Sequence, residues 1–353
     1  MPEKELSNPA QSIFKSGGVF VPSPLALDEH KKHNEAYQRL LTLYYVRSGA
    51  KAVIPGAHTG EFALNDLDLL DRWMLWIKEM TGQYGEGIVL MAMVGGDDAI
   101  KQAELAARHE YDGVMIAPTA FSGKNIDEVI ELFEIIASCI PTFAFELQQA
   151  IPGSYNYTPE LWSRIFEIVH GAKGASFNTY KSLVMLEAAA KSPRKNELTL
   201  FTGNDDRIVA DLLGDYVYQI DRNTISVRYN AGLLGHFATD TNAAVNWFQA
   251  IQKKKNSGVW DFNLSEEELA HGVNRCNMAL FDALGNFENS VWGVKYRLAS
   301  MGLLPGPYCM HEDGRLGQDK AIDAVYNEYQ PLNDKNYLEE NLDNLKREVG
   351  LIH

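Results

Sequence analysis

Seven short apolar runs, each followed by a longer stretch with helical spacing, constrain this chain more than any other feature in it. They lie at 17–24 (GGVFVPSP), 50–57 (AKAVIPGA), 87–95 (GIVLMAMVG), 111–119 (YDGVMIAPT), 140–147 (IPTFAFEL), 173–178 (KGASFN) and 197–205 (ELTLFTGND). Nearly continuous apolar strands separated by helices predict a parallel sheet covered on its outer face. The intervening stretches carry the helical period: in 65–83, Leu67, Leu70, Trp73, Met74 and Ile77 recur at three- and four-residue steps after an Asn/Asp start. Thr158-Pro159 reads as a cap and first-turn proline before a further helix.

Seven such units, with an eighth strand expected between 215 and 238, predict an α/β fold, a (β/α)8 TIM barrel with a C-terminal helical extension. No GxGxxG or GxxxxGK[ST] follows a strand, which speaks against an open nucleotide-binding sheet. The organisation expected is a polar N-terminal segment (1–15), the barrel (16–250) and the helical extension (251–353), because amphipathic helices without a strand period replace the alternation after about residue 240. Active sites of such barrels lie at the C-terminal ends of the strands, so the residues closing each run are the candidates.

Composition narrows the partners. With 353 residues and 46% hydrophobic content a sizeable core is available. A net charge of −15, from 32 Lys and Arg against 47 Asp and Glu, argues against nucleic acid or an anionic membrane as partner. Cys139, Cys276 and Cys309 are too scattered for a disulfide framework and read as reduced thiols. A polar N-terminus and no apolar run near the roughly 18 residues of a membrane span lead to the expectation of a cytoplasmic protein.

Several segments are similar to the dihydrodipicolinate synthase and N-acetylneuraminate lyase family: GGVFVPSPL at the first strand, GAHTGEF after the second, AELAARHEYDGVMIAPT across the third helix and fourth strand, LFTGNDDRIVADLLG at the seventh, and ENSVWGVKYRLASMGLLPGP near the C-terminus. The likeness spans roughly 16–310. Where the family carries Gly-Thr-Thr-Gly-Glu, this chain has Ala57-His58-Thr59-Gly60-Glu61. The resemblance implies a Schiff-base aldolase barrel acting on pyruvate or a related 2-keto acid, assembled as a homo-oligomer (dimer or tetramer). It further implies an imine-forming lysine at the end of strand six, a proton-shuttling tyrosine at the end of strand five, and a Thr-Thr turn holding the carboxylate.

Position by position, the chain departs from that pattern. Counted from the flanking motifs, the lysine falls on Phe177, with Lys173 at the N-terminal end of the strand and Lys181 four residues beyond, a surface lysine by default. The tyrosine falls on Phe145, the family's tyrosine pair after strand four on Thr119-Ala120, and the carboxylate-binding arginine has no match in QQAIPGSYNY. The expectation is a lyase or aldolase for a 2-keto acid or sugar acid that works without the family's lysine. The alternative is an inactive relative that binds a metabolite or serves assembly.

The replacement chemistry then rests on other polar groups at strand ends. His58, Thr59, Glu146 and Asn178 are the catalytic candidates: a histidine or a buried carboxylate can move protons near neutral pH, and the turn can hold an oxyanion. Gly56, Ala57, Gly203, Asp205, Arg228 and Tyr229 are the substrate-binding candidates for a carboxylate-bearing small molecule, Arg228 because its planar fork suits that anion. Asp205 and Asp206 could equally cap a helix beginning at Arg207. A divalent ion such as Mg2+ in place of the lysine would draw on Glu146, Asp205 and His58. The segment QIDRNTISVRYNA (219–231) reads as an insertion near the barrel mouth.

Overall fold

The computed structural model describes residues 3–61, 66–149, 151 and 153–353. Its strands are β1 (Val19–Pro22), β2 (Ala52–Ile54), β3 (Met91–Val94), β4 (Gly113–Ile116), β5 (Thr142–Leu147), β6 (Gly171–Ala175), β7 (Thr199–Thr202), β8 (Tyr216–Ile220), β9 (Asn223–Val227) and β10 (Ala231–Leu233). The helices are α1 (Asn8–Ser16), α2 (Glu35–Arg47), α3 (Leu67–Tyr84), α4 (Ala99–Arg108), α5 (Ile126–Ala137), α6 (Pro159–Ile165), α7 (Thr179–Lys191), α8 (Ile208–Leu213), α9 (Thr241–Ser257), α10 (Glu266–Leu280), α11 (Ser290–Ser300), α12 (Gln318–Glu328) and α13 (Lys335–Glu348). Eight strands form one sheet in the order β2-β1-β10-β7-β6-β5-β4-β3, while β8 and β9 pair only with each other. The fold is a (β/α)8 barrel followed by C-terminal helices, as the alternation predicts. The eighth barrel strand is β10, inside the expected window. The start expected for α3, at Asn65, lies outside the described residues.

Two compact units make up the chain, one of Met1–Gly18, Leu64–Met74 and Val89–Leu233, and one of Val19–Ala63, Leu75–Ile88 and Leu234–His353. In the first unit, β3 to β7 pair in parallel register, so one face of every strand points to the helices and the other to the barrel interior. The polar segment at the N-terminus is a helix with a role. Ser7 caps α1, accepting the Ala10 N–H at 3.3 Å, and the helix turns Phe14 inward. The Phe14 ring lies 4.8 Å from that of Phe143 and 6.3 Å edge-on to that of Phe201, so α1 closes the interior beneath these two strand residues. The segment 219–231 holds the end of β8, all of β9 and the first residue of β10; β8 and β9, Tyr216–Val227, form an antiparallel hairpin laid against α7, with the Tyr218 hydroxyl donating to the Leu183 carbonyl at 3.3 Å.

In the second unit, the helices are tied by buried charges. Arg297 donates to both oxygens of Asp240, at 3.1 and 2.7 Å. Asp240 also accepts the Asp334 N–H at 2.9 Å. Asp334 in turn accepts the Tyr44 hydroxyl at 2.5 Å and caps α9 by accepting the N–H groups of Asn242 and Ala243 at 2.8 and 2.7 Å. α2, α9, α11 and α13 thereby meet in one hydrogen-bonded knot. Among the described residues no helix is long and apolar enough to cross a membrane.

The plug makes a stability prediction. Truncating Phe14 to Ala empties a fully buried aromatic site between two barrel strands and is expected to cost about 3–5 kcal/mol, read as a lower denaturant midpoint with little change in slope. A loss under about 1 kcal/mol would show that α1 is not part of the core.

Candidate active site

Period-two alternation in the first unit sorts the strand residues into two sets. In register, Phe145 on β5 pairs with Lys173 on β6, which pairs with Phe201 on β7. With Phe143 these side chains form the inner face, the one that Phe14 closes. Lys173 is 8% exposed, and its ammonium lies over the Phe145 ring, 4.1 Å from the centroid. Burial lowers its pKa from the ordinary 10.5 to about 7. Among the described residues no carboxylate pairs with it. Its alkyl chain crosses the end of β7 at Gly203, where an added Cβ would overlap Lys173 Cε and lie 2.9 Å from the Leu233 carbonyl oxygen. Gly203, expected as a substrate contact, is the vacancy that admits the lysine.

This placement corrects the sequence register. The sixth strand is Gly171–Ala175, not 173–178, so Lys173 is its central residue rather than its first. His170, Gly171 and Ala172 lack the β-branched and aromatic character that marks the other runs, and the strand start is hidden in them. Phe177 lies beyond the strand, in the left-handed region at φ 49°.

Of the four expected catalytic groups, Glu146 lies on the outer face. Glu146 pairs with Gly174, which pairs with Thr202, all pointing away from Lys173. Glu146 is 1% exposed and neither carboxylate oxygen has a hydrogen-bond partner. Burial raises its pKa to about 7, partly offset by the charge of Lys181. It is therefore an outer-layer carboxyl, not one shared with the lysine. Tyr229 is in the same layer: a Cβ at Gly174 would sit 3.4 Å from its hydroxyl and 3.0 Å from Met185 of α7, and its ring meets Tyr216 edge-on at 5.9 Å.

Asp211 organises this layer. It accepts the Thr202 hydroxyl at 2.7 Å, the Asn204 amide at 2.8 Å, Arg207 Nε at 2.7 Å and the Tyr216 hydroxyl at 3.0 Å. Asn204 accepts the Phe177 N–H at 3.1 Å and donates to Ser182 at 3.1 Å, fixing the loop after β6 against the end of β7. Asn178, expected to be catalytic, caps α7 by accepting the N–H groups of Tyr180 and Lys181 at 3.0 and 3.4 Å. Asp205 is buried after β7, its pKa raised to about 7 by burial and then by the charge of Asp206. Neither aspartate is the helix cap: α8 begins at Ile208 behind Arg207, with no side-chain cap bond. Arg228 is half exposed and pairs with Asp215 at 3.2 Å.

The turn after β2 belongs to the second unit. Ala57, His58, Thr59 and Gly60 wind through a 3-10 turn, preceded by Gly56 at φ 79°. Thr59 donates its hydroxyl to the Pro22 carbonyl at the end of β1, at 2.8 Å. Glu61, in the left-handed region at φ 55°, is buried in an ion pair with Lys295, which also donates to the Tyr308 carbonyl at 2.8 Å. The Thr-Gly-Glu frame thus ties the turn to β1 and α11. Phe62, which closes the quoted GAHTGEF, lies outside the described residues.

Among the described residues no three His, Cys, Asp or Glu side chains are grouped to hold a metal ion, and Glu146 turns toward the helices.

No protein-family model and no curated protein sequence matches the chain. Solved structures do. Dihydrodipicolinate synthase from Bacteroides thetaiotaomicron superposes with a TM-score of 0.70 at 17% identity, covering 88% of this chain and 98% of that one. The Acinetobacter baumannii dihydrodipicolinate synthase complexed with pyruvate gives 0.68 at 14%, covering 90% and 99%. N-acetylneuraminate lyase from Mycoplasma synoviae gives 0.66 at 14%, covering 89% and 98%. At such identities the likeness is one of fold: this chain is built on the barrel and C-terminal helices of these lyases and synthases.

Proposed function

We propose that the protein is a lyase or aldolase of the dihydrodipicolinate synthase type, acting on a 2-keto acid or sugar acid through an imine on Lys173. The observation that carries this reading is a lysine at the centre of β6, turned inward, buried and without a carboxylate partner among the described residues. A pKa of about 7 leaves about half of the amine neutral at neutral pH, where an ordinary lysine is almost wholly protonated. The neutral amine adds to the keto carbonyl carbon, the carbonyl oxygen leaves as water, and a C=N bond to Nζ remains. Protonated, that imine withdraws electrons from the adjacent carbon–carbon bond, which is what an aldol cleavage or addition requires.

The lysine-free expectation placed the family's lysine on Phe177 by counting from the flanking motifs and took Lys173 as the first residue of its strand; a β6 of Gly171–Ala175, with Lys173 at its centre, supports the lysine instead. The absence of a tyrosine hydroxyl at Phe145 stands. Proton transfer then falls to another group or to the substrate's own oxygens; the turn of the second unit, taken by itself, offers His58 as a proton-transfer group and Thr59 with the backbone of Gly56 and Ala57 as carboxylate donors by their motif. Asp205, buried with a raised pKa, is a candidate acid in the first unit. Assembly as a dimer or tetramer belongs to the same reading.

Borohydride reduction in the presence of pyruvate tests it. The expected product is Lys173 carrying the mass of the keto acid less one oxygen atom, identified by peptide mass spectrometry, with a trapping rate that rises through pH about 7 and levels off above it. Label on Lys181 instead would overturn the assignment to Lys173, and label on no lysine with any of a panel of 2-keto acids would overturn it and favour a binding protein.

A second measurement separates a functional lysine from a neutral one. Lys173 holds its proton up to pH 10.5 in the unfolded chain but only to about 7 when folded, so folding releases a proton between those values and stability climbs with pH across that window. Lys173→Met is expected to abolish trapping, to be more stable than the parent at pH 7 by about 0.5–2 kcal/mol, and to lose that pH dependence. A less stable Lys173→Met protein would mean that the ammonium is satisfied rather than strained.

A further inference from the structure

A cavity of about 270 Å3 opens in the second unit where the end of α11, the end of α12 and the first half of α13 meet. Its floor holds a cation with an uncommitted donor. Arg297, 8% exposed, directs Nε and Nη2 to the two oxygens of Asp240 and lies over the Tyr326 ring. These contacts saturate its charge, but a guanidinium has five N–H groups. Nη1 donates to no group among the described residues and is not sealed in the interior, and the guanidinium lines the cavity. The acceptor that this nitrogen lacks must therefore come from the cavity.

One wall is a face of α13. Lys335, Leu338, Glu339 and Leu342 follow at steps of one to four residues and all line the cavity. The Lys335 ammonium makes no hydrogen bond among the described residues and stands 4.0 Å from the Glu339 carboxylate. Lys346, one turn beyond Leu342, reaches Gly302 at the end of α11, where a Cβ would lie 3.3 Å from its Nζ. In the knot that holds Arg297, Asp240 balances the guanidinium, and burial followed by the charge of Asp240 drives Asp334 toward its neutral form. The remaining charges around the cavity are two lysines against one glutamate. Leu338, Leu342 and Met301 give it an apolar side.

An open N–H pair on a buried guanidinium, an ammonium at the rim and leucines beside them favour an anion with a hydrocarbon body. We propose that this cavity binds a small aliphatic carboxylate, its oxygens taking Arg297 Nη1 and Lys335 Nζ and its chain lying on Leu338 and Leu342. An inorganic oxyanion would leave the leucines bare. The site shares no residue with Lys173 or the turn at 57–61, so it stands or falls apart from the imine chemistry.

Isovalerate is the probe, titrated into the full-length protein while the methionine ε-methyl signals are followed by NMR. The expected result is a saturable millimolar shift of the Met301 signal, assigned by its absence in Met301→Leu. The neutral isostere isovaleramide and sodium sulfate at equal ionic strength are expected to leave that signal in place. At the exposed rim, Lys335→Ala is expected to weaken binding roughly threefold to tenfold and Glu339→Gln to strengthen it roughly twofold to fivefold. Arg297→Lys keeps a cation beside Asp240 but removes Nη1, and is expected to abolish the shift while the other methionine signals report the fold. No shift at Met301, an equal response to isovaleramide or sulfate, an undiminished shift in folded Arg297→Lys, or affinity that neither rim variant changes would each overturn the proposal. Where Arg297→Lys does not fold, the isostere and the rim variants decide.

Discussion

The two-residue period of β5, β6 and β7 is the constraint on which the first unit depends. Helices cover one face of these parallel strands and the barrel interior takes the other, so a polar residue has no solvent-facing side to occupy and must be paired, titrated or used. Each solution is present within one register row of the next. Thr202, on the outer face, is paired to Asp211. Glu146, on the outer face, has no hydrogen bond and is driven toward its neutral form. Lys173, on the inner face, gains only the face of Phe145 and is driven toward the neutral amine. A shift of one residue in β6 would exchange the two faces and move the lysine among the helices.

The second unit treats buried charge differently. Lys295 and Arg297 are only two residues apart on α11, and each is saturated: Lys295 by Glu61 and a carbonyl, Arg297 by both oxygens of Asp240 and by the Tyr326 ring at 4.1 Å. Removing one member of such a pair leaves the other uncompensated in a dry interior, at a cost of about 3–5 kcal/mol. The contrast with Lys173 is chemical. A lysine whose amine is locked to a carboxylate and a carbonyl is not free to attack, whereas one without a carboxylate partner can be a nucleophile. Equal burial thus yields a strut in one case and a candidate catalyst in the other.

Much of the fold was legible from sequence because it rests on periodicity. Runs such as GIVLMAMVG and IPTFAFEL contain β3 and β5 within a few residues, and the amphipathic stretches after residue 240 are the C-terminal helices. The candidate site was less legible, and its errors share a cause. β6 reads GAKGA, with no residue that prefers strands, so its ends had to be inferred from its neighbours, and a shift of two residues turned a central lysine into a terminal one. Glu146 reads in the sequence as a carboxyl closing an apolar strand, but a single sequence does not say which face of a doubly covered strand points inward. Asn178 has the composition of a catalytic residue and the position of a helix cap, and only the two N–H groups it accepts distinguish them. The N-terminal segment looked merely polar because one phenylalanine in it, Phe14, does the packing.

Phe145 changes what the lysine can do. A tyrosine at that point would offer a hydroxyl to the reacting carbon and could relay a proton at no cost in shape. A phenylalanine offers a ring face that favours the ammonium and opposes the effect of burial. The resting amine is thus balanced between desolvation, which neutralises it, and the ring, which holds its charge. A keto acid arriving with its carboxylate would add an anion to this interior and raise the amine's pKa further, slowing its own attack, unless that carboxylate is held by other donors. The reading of the lysine as nucleophile therefore requires that other donors hold that carboxylate apart from the amine.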